Sequence, residues 1–414
     1  MPMKLTDHEK RMLDGEEGWA TQKAMEIQLQ MGEIYGAEKM IPVTSVHMPG
    51  VSSTVTGEPA CMFVEKMRDT GGKFKVLTTM NPCAVDICNW KQFGFSQETY
   101  DFQMRLVNAY LAMGAIPTLT CTPFFEGNAP RFGEHVAWGE SSAIVYCNSI
   151  IGARTNREGG PGALAAALTG VVPAYGYHLD ENRYGQVLVH IDCKLNTLQE
   201  YGAMGHAIGI HTGNRVPVVT GLDPNISVDN LRSFAAAMAT GGSTALFHAV
   251  GITPEAPTLE IAFGSNKPEE EIVVSEEEMR SVMASLSIHH GEPIDLVALG
   301  CPFLSLKEIA ELAERLKGKK LADGVELWLM AGHAVVQTAK RKGYVDAIEA
   351  TGAKFMVDTC PDLGHLADCI KALGLRSMAT NSAKLSHYIP HLWNLPTVFK
   401  STDECLDIAL NGNK

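Results

Sequence analysis

Residues 294–331 read IDLVALGCPFLSLKEIAELAERLKGKKLADGVELWLMA, in which two short apolar runs flank a segment with helical periodicity. The runs IDLVALG and VELWLMA predict buried strands, and the apolar residues spaced three and four apart between them predict an amphipathic helix. The alternation continues with a helical segment at 335–352 and an apolar run at 353–358. This βαβα order is typical of a mostly parallel sheet covered by helices, so we expect an α/β fold.

The rest of the chain alternates in the same way without a clear break. Buried strands are predicted at 73–80, 115–120, 185–192 and 215–221, and helices at 5–36, 96–114 and 229–242. We divide the chain into an N-terminal α/β catalytic region, 1–290, and a C-terminal βαβα unit, 291–414, which together form one continuous catalytic core. The acidic stretch 267–287 is the predicted connection between them.

The composition narrows the class of protein. The chain has 414 residues, of which 45% are hydrophobic, enough to bury a large core. No apolar run approaches the roughly 18 to 20 residues of a membrane-spanning helix, and the charged N-terminus lacks a secretory signal, so we expect a cytoplasmic protein. A net charge of −13 disfavours nucleic acid and anionic membranes as partners. The ten cysteines are expected to be reduced.

One segment, residues 121–162, concentrates side chains suited to binding and catalysis. A helix is predicted over 133–153, and near its start, where backbone N–H groups favour anions, lie Glu134, His135, Glu140, Ser141 and Ser142. Arg154 and Arg157 precede a glycine-rich turn, 159–162, that opens an alanine-rich helix. Guanidinium groups beside exposed helix-start amides favour carboxylate or phosphate recognition. The alternative is a glycine-rich turn with solvated arginines.

Three cysteines occupy similar places in the predicted fold. Cys121, Cys301 and Cys360 each follow a predicted strand, and each is followed by proline within two residues. Ligands of α/β sheets collect at the carboxyl ends of strands, and three thiolates can hold an iron–sulfur cluster while leaving one iron without a protein ligand. Their wide spacing lacks the compact pattern of a cluster motif, so buried apolar thiols are the alternative. Cys83, Cys88 and Cys193 are competing candidates that we interpret mainly as core residues.

Further motifs are spread over nearly the whole chain. They are SVH at 45–47, GVS at 50–52, TTMNP at 78–82, HLDENR at 178–183, FHAVGITPEA at 247–256, GCP at 300–302, DTC at 358–360 and NSAK at 381–384. Together with segment 121–162, these motifs resemble the catalytic large subunit of the aconitase X family. The resemblance implies an aconitase-like multi-layer α/β core, lacking the swivelling domain that some members carry in the same chain.

The resemblance also implies an activity. Members of the family are hydro-lyases that eliminate water from small hydroxy acids, with cis-3-hydroxy-L-proline and 5-phosphomevalonate among their substrates. It implies an iron–sulfur cluster, 4Fe-4S or 2Fe-2S, held by Cys121, Cys301 and Cys360. It further implies a separate small subunit that supplies the swivelling domain, closes the site and contributes a serine as the catalytic base.

Each step of such a reaction has candidate residues in this chain. Expelling hydroxide requires a Lewis acid at the leaving oxygen, a base at the adjacent carbon and cations for the carboxylate. Arg154 and Arg157 are the predicted clamp for an anionic group. The predicted proton-relay residues are His47, His135 and Lys384. Side chains expected to orient the substrate by hydrogen bonds are Ser45, Asn81, Asn128, Ser141, Ser142 and Ser382.

Two other function classes remain open. One is a lyase on the same scaffold that uses a single metal ion, with Glu134, His135 and Asp180 as ligands. The other is a non-catalytic binding subunit. For the hydro-lyase, the high cysteine and methionine content is typical of mesophiles, which favours a hydroxyproline-type substrate over 5-phosphomevalonate.

Overall fold

The computed structural model describes residues 3–264, 266–289 and 291–412. Within these residues, helices cover three parallel sheets and one small antiparallel pair of strands. The predicted fold class, α/β with mostly parallel sheets covered by helices, is confirmed. No helix in the described ranges is both long and apolar enough to cross a membrane.

The first part of the chain contains a three-stranded parallel sheet. The strands of this part are β1 (Met40–Pro42), β2 (Ser45–Met48), β3 (Leu77–Met80), β4 (Ala137–Trp138) and β5 (Val171–Pro173), of which β2, β3 and β4 form the sheet. Its helices are α1 (Asp7–Leu13), α2 (Trp19–Ile34), α3 (Ser53–Asp69), α4 (Gln97–Met113), α5 (Ser141–Val145) and α6 (Gly160–Thr169). Strand β2 lies between β3 and β4, and β1 pairs with β5 antiparallel. Helix α6 is almost entirely buried between α2 and β2, as its alanine-rich sequence allows.

The middle part contains a four-stranded parallel sheet. Its strands are β6 (Val187–Asp192), β7 (Pro217–Thr220), β8 (His248–Ala249) and β9 (Glu270–Ser275), in the order β8-β7-β6-β9. The helices are α7 (Leu198–Thr212), α8 (Val228–Gly242), α9 (Leu259–Phe263) and α10 (Glu276–Ser285). Helices α7 and α8 pack so closely that a Cβ on Gly205 would lie 2.2 Å from the carbonyl oxygen of Phe234. The acidic stretch 267–287 forms β9 and α10 of this unit.

The last part is a five-stranded parallel sheet. Its strands are β10 (Leu296–Leu299), β11 (Glu326–Met330), β12 (Lys354–Met356), β13 (Met378–Thr380) and β14 (Thr397–Phe399). Its helices are α11 (Leu306–Leu316), α12 (His333–Arg341), α13 (Tyr344–Glu349), α14 (Leu366–Leu373), α15 (Ala383–Trp393) and α16 (Thr402–Asn411). The order β12-β11-β10-β13-β14 reverses direction between β10 and β13. Ligands of open α/β sheets bind outside the carboxyl ends of strands at such a switch point.

The segment 294–331 forms the elements its pattern predicts, namely β10, α11 and β11. Ser305 and Glu308 make a capping box that starts α11, because each side chain accepts a backbone N–H of the other residue. Ile309, Leu312 and Leu316 are buried along one face of the helix. The spacing of apolar residues and the cap therefore agree, which is why this segment was predictable.

Two predicted elements are wrong. Residues 133–153 do not form one helix: they contain β4, then α5, then a π-helix, Tyr146–Ile151, so Glu134 and His135 lie well before the helix start. The reason is a long-range pairing, since Ala137 bonds in register with Val46 of β2. Residues 115–120 form no strand but a single bridge, Ile116 to Thr79. There the Oγ1 of Thr118 accepts the backbone N–H of Met80, in place of a backbone carbonyl from a neighbouring strand.

Candidate active site

Three cysteines meet at one edge of the C-terminal sheet. Cys301 follows β10 at the switch point, Cys360 follows β12, and Cys121 comes after the Ile116 bridge rather than after a strand. We call Cys121, Cys301 and Cys360 the cysteine triad. The backbone N–H of Phe303 donates a hydrogen bond of 3.3 Å to the Sγ of Cys121, which ties the Cys301 loop to the first part of the chain.

The three thiols belong to one cluster of packed side chains. Burial raises the pKa of Cys360 well above its ordinary value, and the ionisable side chains of Asp362, Cys301 and Cys121 beside it raise it further. Burial raises the pKa of Cys301 to about 11, although Lys384 opposes that rise. Burial and the charge of Glu140 likewise raise the pKa of Cys121. The free thiols are therefore neutral, and a bound cation is needed to hold them as thiolates.

The donor set of the triad fits an iron–sulfur group. Cysteine thiolates are the ligands of such clusters, and in a 4Fe-4S cluster each cysteine sulfur binds a different iron. No group of three His, Cys, Asp or Glu side chains in the described part of the chain converges on one metal ion.

The side chains of the alternative metal site, Glu134, His135 and Asp180, each contact a different group. Glu134 Oε2 accepts the backbone N–H of Arg131 at 3.0 Å. His135 Nδ1 lies 3.0 Å from His178 Nδ1, and Asp180 pairs with Arg154.

A buried ion network lies beside the triad. The Nζ of Lys384 is 2.9 Å from Oε1 of Glu140, 3.5 Å from Oδ2 of Asp362 and 3.4 Å from Oγ of Ser141. The side chains of Lys384, Glu140 and Asp362, which we call the Lys384 network, are 10%, 4% and 10% exposed. Burial lowers the pKa of Lys384, but the two carboxylates outweigh it and raise that pKa well above its ordinary value. Lys384 therefore keeps its proton at neutral pH.

Glu140 is held in a strained backbone position. Its φ of 108° is in the left-handed half of conformational space, which a residue with a side chain rarely adopts. Its carboxylate caps α5 by accepting the N–H of Ala143 at 2.8 Å and also accepts the hydroxyl of Ser142 at 2.8 Å. Burial raises the pKa of Glu140, but Lys384 and these donors lower it below its ordinary value. Ser142 therefore helps to keep the Glu140 carboxylate in place and ionised.

His47 forms a second polar group in the first sheet. Its Nδ1 lies 2.9 Å from Thr79 Oγ1, which also accepts the amide of Asn128 at 2.9 Å. Burial lowers the pKa of His47 to about 4, against the opposing effects of Glu140 and Asn81, so the ring is neutral at pH 7. His47 Nε2 and Asn81 Oδ1 are buried, and neither makes a hydrogen bond of normal geometry among the described residues, although Asn81 is close enough to affect the His47 ring. A buried water or a bound polar ligand would satisfy these orphaned atoms.

Two more predicted residues have structural partners here. Ser45 Oγ accepts the indole N–H of Trp138 at 3.2 Å, beside the His47 ring. Ser382 is the N-cap of α15, accepting the N–H of Leu385 at 3.3 Å, and its hydroxyl helps to lower the pKa of Cys301.

A cavity of about 590 Å³ opens next to the network. Its lining includes Ser141, Arg157, Asn214, Thr244 and Tyr388. Arg157 donates to the carbonyl of Ser243 in its wall. Ser141 lines the cavity and contacts Lys384, so it lies between the cavity and the Lys384 network.

The structure separates the two predicted clamp arginines. Arg154 forms an ion pair with Asp180 and donates to the carbonyl of His178 at 3.2 Å, and it does not line the cavity that contains Arg157. The backbone of His135 bridges to Arg154, and burial together with Arg154 lowers the pKa of His135. Arg154 and His135 therefore belong to one polar group, apart from the contacts of Lys384.

Asp362 is a site residue that the sequence does not single out. The only available signal is its position two residues after Cys360, in the turn Cys360-Pro361-Asp362. Glu140 stands out in the sequence for its place in segment 121–162, but its pairing with Lys384 is visible only in the structure.

Three family models match the chain in succession. The aconitase X first domain matches residues 2–181, the second domain 185–284 and the third domain 294–411. The family resemblance inferred from the sequence motifs is thereby confirmed.

Individual proteins agree with the models. The phosphomevalonate dehydratase large subunit of Methanothermobacter thermautotrophicus is 41% identical, over 94% of this chain and 95% of its own length. The cis-3-hydroxy-L-proline dehydratase of Pseudomonas aeruginosa is 34% identical, over 99% of this chain and 70% of its own length. The crystal structure of Thermococcus kodakaraensis aconitase X in its holo-form is similar with 37% identity and a TM-score of 0.89, covering 98% of this chain and all of that one.

Proposed function

This chain belongs to the aconitase X family of dehydratases, and we propose that it is the large subunit of an iron–sulfur-dependent hydro-lyase acting on a small hydroxy acid. The observation that carries the proposal is the placement of the cysteine triad beside the Lys384 network. Cys121, Cys301 and Cys360 are the residues proposed to hold the iron–sulfur group. When bound, a cluster with an iron that lacks a protein ligand supplies a Lewis acid for a leaving hydroxyl.

The side chains around the triad suit the polar steps of an elimination. Lys384 is a buried, protonated ammonium group, so it donates hydrogen bonds to oxygen atoms that gain negative charge. The orphaned atoms His47 Nε2 and Asn81 Oδ1 are proposed to orient the substrate. Arg157 supplies positive charge in the adjoining cavity and is the proposed clamp for the anionic end of the substrate.

The base that removes the carbon-bound proton is proposed to come from a small partner subunit. Lys384 holds its proton too tightly to act as a base at neutral pH, and His47, with a pKa of about 4, is a weak one. His135 contacts His178 and lies with Arg154 rather than with Lys384. This leaves none of the three predicted proton-relay residues as an effective base near the triad. The relatives named large subunits support a two-chain assembly.

For the substrate we propose 5-phosphomevalonate first and cis-3-hydroxy-L-proline second. The relatives named for phosphomevalonate include two at 41% and 38% identity, compared with 34% and 35% for those named for hydroxyproline. The cavity of about 590 Å³ with Arg157 in its wall suits a chain ending in phosphate. This order reverses the one that the cysteine and methionine content favours.

The test is anaerobic co-production with a small subunit of a family relative, reconstitution with iron and sulfide, and assay of both substrates. Formation of the new double bond is followed by ultraviolet absorbance. We expect turnover of one substrate that titrates to one small subunit per large chain. Full activity of the large chain alone would contradict the proposed need for a partner subunit. Absence of bound iron in the wild-type protein would contradict the proposed iron–sulfur cluster.

A further inference from the structure

We propose that Arg232 is a positioning residue for the iron–sulfur site, holding the loop 300–304 so that the N–H of Phe303 is aimed at Cys121. The inference rests on the proposed function, since it assigns a role toward the group that the cysteine triad would hold. Arg232 lies on α8 of the middle part of the chain, outside the sheet that carries Cys301, and its side chain is only 3% exposed.

Two hydrogen bonds fix residue 303 from both sides. Arg232 Nη1 donates to the carbonyl oxygen of Phe303. The N–H of the same residue donates to Cys121 Sγ at 3.3 Å. Because the first bond restrains the backbone of residue 303, it also restrains the direction of the second. A buried arginine thus reaches a cysteine sulfur through one residue of the loop.

Carboxylates hold the guanidinium in place. Arg232 Nη2 pairs with Glu308 and lies 3.3 Å from Asp229. Glu308 in turn accepts the N–H of Ser305 at 2.8 Å, at the start of α11. The guanidinium also lies over the ring of Phe125, 5.4 Å from its centroid. Together these contacts use a planar fork of donors in fixed directions, which the ammonium group of lysine does not provide.

Arg232 also lies beside a second member of the cysteine triad. It lines a small cavity of about 10 Å³ together with Gly300, Cys301, Pro302 and Asn381. The arginine is therefore next to the loop at both Cys301 and Phe303. Hydrogen bonds to the ligating sulfurs, and the side chains that hold the ligands in place, set the metal affinity and the reduction potential of such sites.

The test compares Arg232→Lys with wild type after reconstitution with iron and sulfide. We expect the variant to hold iron about 10- to 100-fold more weakly, the range usual for changes to the partners of metal ligands, and therefore to release iron faster to a chelator. Arg215→Lys is the matched control, because Arg215 also donates to carbonyl oxygens and to a carboxylate, Glu270, but at the surface. Its iron release is expected to equal that of wild type.

A second readout uses the metal-free protein. Alkylation of Cys121 by iodoacetamide, mapped by mass spectrometry, should be faster in Arg232→Lys, whereas alkylation of Cys61 in the distant N-terminal core should not change. Unchanged iron release and Cys121 alkylation would overturn the proposal. Equal acceleration at Cys121 and Cys61 would also overturn it, because it would indicate general loosening. If wild type binds no iron while Cys121 alone is exposed in the variant, the proposed function fails and the positioning of Cys121 by Arg232 stands.

Discussion

Replacing Lys384 by methionine removes the cation that neutralises two buried carboxylates. Glu140 and Asp362 are 2.9 and 3.5 Å from its Nζ, and all three side chains are at most 10% exposed. Breaking a buried ion pair by removing one partner costs about 3–5 kcal/mol, because the other charge stays buried without compensation. We expect a loss of that size in the free energy of unfolding of the metal-free protein at pH 7, measured by urea denaturation.

The loss should depend on pH with a defined sign. In the wild type the pKa of Glu140 is below its ordinary value of 4.5, so its stabilisation is present above pH 4.5 and is lost as the pH falls through the lowered value. In the variant, burial acts without Lys384 and raises the pKa of Glu140, so stability is lost as the pH rises above 4.5. The stability gap between the two proteins therefore widens from acid to neutral pH.

Two further variants sharpen this test. Lys354→Met is the control, because Lys354 pairs with Glu326 at 2.6 Å but the side chains are 27% and 29% exposed, where a pair contributes about 0–1 kcal/mol. Adding Glu140→Gln to Lys384→Met should recover part of the loss, since Asp362 is then the one carboxylate of the network that remains without its cation. Equal losses for the Lys384 and Lys354 variants at pH 7, or a gap that widens on acidification, would refute the reasoning.

Three other outcomes are expected. Changing any member of the cysteine triad to serine should abolish iron binding and brown colour in anaerobically reconstituted protein, whereas Cys83→Ser should retain both. Burial raises the pKa of Glu158 to about 7, so the stability that its protonated form contributes is present below pH 4.5 and is lost as the pH rises through 7. Between these pH values the melting temperature should therefore fall less in Glu158→Gln than in the wild type. Arg157→Lys should lower kcat/KM roughly a hundredfold, about 2.7 kcal/mol, through loss of a two-pronged contact, and Arg154→Lys should lower it less because Arg154 already pairs with Asp180.

The fold was predictable where local pattern and tertiary pairing agree. Segment 294–331 forms the expected strand, helix and strand because its apolar spacing, its cap and its burial coincide. Residues 133–153 have a helical pattern, but the pairing of Ala137 with Val46 imposes a strand there. Apolar periodicity carries no information on such distant partners.

In the candidate site, too, local features were predictable and contacts between remote residues were not. The cysteines could be selected because chain position relative to a strand is a local property, and the structure brings them to one edge, although Cys121 follows a bridge instead of a strand. Their role as ligands stays a prediction. The pairing of Lys384 with Glu140 and Asp362, and the separation of Arg154 from Arg157, depend on contacts between remote parts of the chain.

The ion pair between Glu140 and Lys384 joins residues 244 positions apart, and this separation has a consequence during synthesis. A ribosome adding roughly 5–20 residues per second delivers Lys384 roughly ten to fifty seconds after Glu140. During that interval a carboxylate destined for the interior has no cation and must stay hydrated. We therefore expect the loop between β4 and α5 to reach its final packing only after the last sheet has been synthesised.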